Sequence, residues 1–138
     1  MVNGGRLSTP SVYATPLSST DGDSWRGGPC PGTSMLDAPV AGARGEPKFL
    51  TDAFIGAGAR FTLLEFGNGA PELPEGLGAI RIGGKDGLVD SAGLAATRYD
   101  AEPGTAYLLR PDGYVAARFR HPTRPALDAA LARAAGYN

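Results

Sequence analysis

Ala106-Tyr107-Leu108-Leu109-Arg110 and Tyr114-Val115-Ala116-Ala117-Arg118-Phe119 are two apolar, partly aromatic runs separated only by Pro111-Asp112-Gly113. Proline presets the backbone for a turn, aspartate bonds its own main chain, and glycine reaches the left-handed region at little cost. The stretch therefore predicts an antiparallel hairpin. Downstream, Pro122 and Pro125 lead into Ala126 to Arg133, where Leu127 and Leu131 lie four apart and Gly136 can stop a helix. An amphipathic C-terminal helix is expected there.

Upstream, Arg60-Phe61-Thr62-Leu63-Leu64-Glu65-Phe66, bounded by Gly67, reads as a buried central strand. Pro71 and Pro74 keep the segment from Gly67 to Gly78 out of regular helix. Ile80 and Ile82 mark a second strand between Leu77 and Gly83. Asp90 or Ser91 can cap a short helix over Leu94, Ala95, Thr97 and Arg98. A further short helix is expected from residue 46, with Pro47 in its first turn and Phe49, Leu50, Ala53 and Phe54 on one face. These elements define a domain over residues 46–138.

Residues 1–45 read as an extended arm. Residues 1 to 48 hold eight Gly and six Pro, and their apolar side chains follow neither a helical nor a strand period. Tyr13, Trp25, Met35 and Leu36 are nonetheless large apolar groups, each costing roughly 1.5 to 3 kcal/mol to leave in water. They are expected to dock, either on this domain's own core or on a neighbour.

Composition excludes several classes of function. Thirteen Lys and Arg against fourteen Asp and Glu give a net charge of -1, so no global field draws in nucleic acid or an anionic membrane. No stretch has the apolar length of a membrane span, and the start of the chain lacks a signal-peptide run. Cys30 is the only cysteine and His121 the only histidine, which rules out an internal disulfide and a four-ligand Cys/His zinc site. A reducing, cytoplasmic setting fits. Gly56-Ala57-Gly58-Ala59-Arg60-Phe61 follows a helix and precedes a strand, the reverse of the order a dinucleotide phosphate loop needs. Gly83-Gly84-Lys85-Asp86-Gly87 lacks the Gly-Lys-Ser/Thr ending of a phosphate loop and reads as a turn. Arg98, Arg110, Arg118, Arg120 and Arg124 cluster near the hairpin without a base-stacking aromatic ladder, and read as solvated or as pairing across an interface.

The element order matches a thioredoxin-like α/β domain, a mixed central sheet flanked by helices. The stretch from Arg98-Tyr99 through Pro103-Gly104 to Leu108-Leu109-Arg110-Pro111-Asp112-Gly113 and Val115-Ala116-Ala117-Arg118 is sharper. It resembles the "RY…PG…LLRPDG-VAAR" signature that closes FAD-dependent aromatic-ring hydroxylases of the phenol hydroxylase and hydroxyphenylpropionate hydroxylase type. Gly5-Arg6-Leu7-Ser8, Tyr13, Pro16-Leu17-Ser18 and Gly28-Pro29-Cys30-Pro31-Gly32 resemble the segment joining the flavin portion of those enzymes to their last domain.

The resemblance implies a C-terminal domain that supports folding and subunit contacts. FAD, NADPH and the phenolic substrate of the parent monooxygenase belong to its earlier domains. The expected partners are the parent's flavin-binding domain and a second copy in a homo-oligomer. Thioredoxin chemistry needs a low-pKa thiolate and a resolving thiol. The place for Cys-x-x-Cys reads Gly67-Asn68-Gly69-Ala70, and Thr105 stands where thioredoxins carry a cis-proline. No catalytic, cofactor-binding or metal-binding residue is therefore assigned. Arg110, Asp112 and Tyr114 are expected to organise the hairpin, and Tyr13 and Trp25 to anchor the arm. The alternative is a free-standing, redox-inactive thioredoxin-like module that binds a protein partner or a small aromatic ligand.

Overall fold

The computed structural model describes residues 25–42, 44–58, 60–67, 71–84 and 87–136. The order is β1 (Pro39–Ala41), β2 (Pro47–Phe49), α1 (Leu50–Gly56), β3 (Thr62–Phe66), β4 (Gly78–Ile82), α2 (Leu94–Arg98), β5 (Ala106–Leu109), β6 (Val115–Phe119) and α3 (Arg124–Ala134). Strands β3 to β6 form one sheet in the order β4-β3-β5-β6, and β1 and β2 form a separate antiparallel ribbon. Strand β4 runs parallel to β3, whereas β5 and β6 are antiparallel to their neighbours. Helices cover both faces of this mixed sheet, which is the thioredoxin-like α/β arrangement expected.

Alternation along β3 sorts the core into two halves. Leu64 and Phe66 point to one face, where they meet Ile80, Ile82, Tyr107, Leu109, Val115, Leu50 and Phe54 of α1, and Ala95 of α2. Leu63 points to the other face with Ala106 and Leu108, and α3 lays Leu127, Ala130 and Ala134 against them. The register of β5 with β6 shifts so that Leu108 opposes Ala117 and Leu109 opposes Val115, leaving Ala116 as the extra residue of a bulge. Ala116 and Ala117 consequently both pack on the α3 side. Small residues there let the helix approach closely.

The hairpin and α3 form where the sequence places them. Thr123 caps α3 by accepting from the Ala126 amide at 3.3 Å, with Pro125 in the first turn. Asp90 caps α2 from a distance, its carboxylate accepting from the Ala95 and Ala96 amides at 3.0 and 2.9 Å. The region after residue 46 differs from the expectation. Pro47 lies in β2 opposite Ala41, and α1 starts only at Leu50, after Phe49 in extended backbone. Pairing with β1 holds Pro47 to Phe49 extended, so Phe49 is 53% exposed instead of joining the helix's buried face.

The ribbon crosses the division expected between residues 45 and 46. Met35, Ala38 and Val40 are buried in the same cluster as Leu64 and Tyr107. Trp25 packs against that cluster too, whereas Leu36 stays exposed. The arm from Trp25 onward is thus packed on this domain's own core.

Candidate functional site

The densest polar and aromatic constellation lies where residues 25–36, here called the strap, cross the sheet. Its Pro29-Cys30-Pro31 run is unsuited to a helix interior, and it enters a turn, closed by the Thr33 amide donating to Cys30 O at 3.0 Å, beside the start of β6. The Gly32 amide donates to Val115 O, the Val115 amide to Thr33 O and the Met35 amide to Gly113 O, each at 2.8 Å. The strap therefore covers the outer edge of β6 at that end, which would otherwise present unpaired backbone groups.

Side chains on the sheet fasten the strap's first half. Arg118 lies in register with Tyr107 on the face opposite α3. Only 8% exposed, it donates from Nη1 to the carbonyls of Gly27 and Pro29 at 3.0 and 3.3 Å. Arg120 donates from Nη1 to Asp100 O at 2.6 Å and to Thr105 Oγ1 at 3.1 Å, and from Nη2 to Asp100 Oδ2 at 2.8 Å. That same Asp100 oxygen accepts from the Arg26 amide at 2.8 Å. The amide bond from Arg26, followed by the Arg120 guanidinium, holds the Asp100 carboxyl below its ordinary pKa of 3.8.

Both guanidiniums also lie against the Trp25 ring, with Cζ of Arg118 4.3 Å and of Arg120 3.8 Å from its centroid. Each such contact contributes about 0.5–2 kcal/mol. Tyr107 meets Trp25 edge-on at 5.7 Å and Tyr99 at 4.9 Å. The Tyr107 hydroxyl donates to Tyr99 O at 2.5 Å, and the Tyr99 hydroxyl donates to Leu36 O while accepting from the Leu36 amide at 2.9 Å. Burial pushes the Tyr107 phenol up to about 12 and raises Tyr99 as well. Both rings are neutral struts that tie the strap to the sheet. Gly28 passes directly over them at a φ of +79°, where a Cβ would meet the Tyr107 hydroxyl and come within 2.8 Å of Tyr99 O.

Among the described residues, two buried side-chain polar atoms are left over. Trp25 Nε1 is buried and donates to nothing, a deficit worth about 1–3 kcal/mol. Glu65 is 3% exposed; its Oε1 meets Arg81 Nε at 2.7 Å and its Oε2 is without a partner. Sequence reasoning did not single out Glu65, because one carboxylate in an apolar run carries no spacing signal.

The other named residues are placed as follows. Arg110 and Asp112 pair at 2.6 Å across the hairpin turn, and the Tyr114 amide donates to Asp112 Oδ1 at 3.1 Å. The Arg110 guanidinium also stands 5.9 Å from the Tyr114 ring. Gly113 turns the chain at a φ of +85°. Tyr13 lies outside the described residues, as do Asn68 to Ala70 in the Cys-x-x-Cys position. Cys30 is partly buried, with Arg118 Nη2 3.9 Å from its sulfur, and His121 is exposed. Arg118 and Arg120 are corrections to the reading of solvated or interface-pairing arginines, since the strap and Asp100 engage both within the domain. Among the described residues no three of His, Cys, Asp and Glu converge as a metal site, and no helix is long and apolar enough to cross a membrane.

Comparison with known proteins matches this architecture. No curated protein matches by sequence. A crystal structure of the flavin-dependent monooxygenase PieE in complex with FAD and substrate is similar at 26% identity and a TM-score of 0.62, over 91% of this chain and 24% of that one. Aklavinone-11 hydroxylase, in a ternary complex with FAD and aklavinone, shares the fold at 24% identity and a TM-score of 0.64, over 93% of this chain and 28% of that one. The chain thus spans about a quarter of the length of these enzymes. The family model "Aromatic-ring hydroxylase, C-terminal" matches residues 28–137, from the strap through the end of α3, and the chain belongs to that family.

Proposed function

We propose that this chain serves as the non-catalytic C-terminal domain of a cytoplasmic FAD- and NADPH-dependent aromatic hydroxylase, supporting the folding of its parent and its subunit contacts. FAD and NADPH are handled in the parent's flavin-binding domain, which is this domain's main partner, with a second copy as the partner in a homo-oligomer. Membership of the family and the one-quarter span support this reading. The observation that carries it is the use of the strongest polar groups. Arg118, Arg120, Asp100, Tyr99 and Tyr107 all hold the strap, the segment that leads in from the N-terminal side.

The test uses the 138-residue protein and a longer chain with a flavin-binding portion ahead of it. The isolated protein should pass through gel filtration with FAD and emerge colourless, and should not oxidise NADPH in the presence of a phenol. In the longer chain, Arg118→Gln should lower thermal stability and soluble yield while kcat per bound FAD stays unchanged. A fall in kcat with FAD content and subunit state intact would place this domain in the chemistry and overturn the reading.

A further inference from the structure

The β1–β2 ribbon has two faces of opposite character. Ala38 and Val40 turn inward to the core, so Pro39 and Ala41, which alternate with them, turn outward. Register fixes what stands beside them. Phe49 is opposite Pro39 and Pro47 is opposite Ala41, while Val89 pairs with Ala41 from the other side through two reciprocal backbone bonds of 2.8 Å. These five apolar side chains share one outward face, on which Phe49 and Val89 are each 53% exposed. We propose that this face is the docking surface for the flavin-binding portion of the longer chain. The inference rests on the hydroxylase reading and deepens it.

Three features choose that occupant. First, the five side chains form a contiguous apolar patch, and Asp37 at its end is already engaged, accepting from the Ala38 and Thr51 amides at 2.9 Å. Such a patch with a polar border marks a contact with protein. Second, the contact is made face-on. Val40 and Lys48 turn their backbone groups toward each other, so Pro47 stands at the ribbon's outer edge, where it has no amide N–H to offer an added strand. Third, size decides between a neighbour in the same chain and a second copy. Five such side chains expose on the order of 300 Å², against roughly 800 Å² per partner in a complex that stands by itself. A covalently linked neighbour is held at an effective concentration on the order of millimolar, where a small interface suffices. The flavin-dependent enzymes similar to this chain are about four times its length, so most of such an enzyme is that neighbour.

Docking needs no rearrangement of the domain. The ribbon's inner side is anchored by buried Ala38 and Val40, by Leu88 packing inward beside Val89, and by the Leu50 amide donating to Ala38 O at 3.0 Å. Phe49 and Val89 are therefore presented from a packed base, and a charge added at either leaves the core untouched.

Hydrogen exchange tests this by comparing the 138-residue protein with the longer chain that carries the flavin-binding portion. Relative to the amides of β5, those of Val40, Ala41 and Val89 should exchange at least about tenfold more slowly in the longer chain. Phe49→Asp should abolish that gain there, while leaving exchange and thermal midpoint of the 138-residue protein unchanged. Val89→Lys should do the same, and serves should the first variant fold poorly. The proposal is overturned if the ribbon exchanges alike in the two chains, or if its extra protection survives both substitutions. It is overturned equally if sedimentation shows the 138-residue protein self-associating through Phe49 and gaining the same protection, which would assign the face to a second copy. Each of these results leaves the hydroxylase reading to its own test, kcat per bound FAD in Arg118→Gln.

Discussion

The two faces of the central sheet are covered by different means. On one, α3 follows β6 after a four-residue turn and buries Leu127, Ala130 and Ala134 on alanines and leucines. On the other, the cover is assembled from the strap, the β1–β2 ribbon, α1 and α2, and polar bonds reach across as many as 91 residues of sequence. The first face is local and apolar. The second is non-local and depends on arginines, tyrosines and backbone bonds. A sheet can thus be closed by hydrophobic periodicity on one side and by an imported segment on the other, with different sensitivities to substitution.

The sharpest way to break the comparison is on the apolar face. Leu127→Ala removes a fully buried side chain near the start of α3 and should cost about 2–5 kcal/mol in denaturant unfolding. Strap amides should lose protection from hydrogen exchange only in step with the whole domain. On the opposite face, Gly28→Ala should cost about 1–3 kcal/mol, since its backbone is left-handed and Tyr99 O blocks the new methyl group. Here the amides of residues 26–33 should exchange faster while α3 stays protected. Uniform loss across both faces would contradict the distinction.

Titration sharpens the same contrast. Burial raises the phenols of Tyr99 and Tyr107 above 10, with Tyr107 at about 12. A raised folded-state value means the stabilisation is complete below pH 10 and is lost as pH climbs toward 12. Tyrosinate absorbance should therefore show two of the five tyrosines ionising late, with strap release accompanying them. Asp100 runs the other way. Its folded value lies below 3.8, so its contribution is present above that pH and fades as pH falls further. Asp100→Asn should flatten that acid limb and cost under about 1 kcal/mol at neutral pH, because the carboxylate is partly exposed and screened. An acid limb unchanged in Asp100→Asn would remove Asp100 from the clamp.

What was legible in the sequence follows the same division. The hairpin and α3 could be read because turn chemistry and period act within a dozen residues. Strand β3 could be read as a continuous apolar run. The ribbon could not, since Pro39–Ala41 and Pro47–Phe49 are three-residue strands, each beginning with proline, and form only by pairing with each other and, at Ala41, with distant Val89. Trp25 was visible as an anchor, but its partners were not. Arg118 lies in β6 and Arg120 just past its end, and nothing in their spacing says that both meet an indole some ninety positions earlier. The hydroxylase family was legible through the segment around Arg110-Pro111-Asp112-Gly113, a matter of resemblance and not of physics.

The ribbon that spans residues 39 to 49 has a practical bearing on how the protein can be handled. A truncated version starting at residue 46 would lose Met35, Ala38 and Val40 from beneath α1 and α2, and would bare the backbone of Gly113 and Val115. Such a fragment should clump on expression, and any shortening from the front has to stop ahead of Trp25 to leave a well-behaved protein.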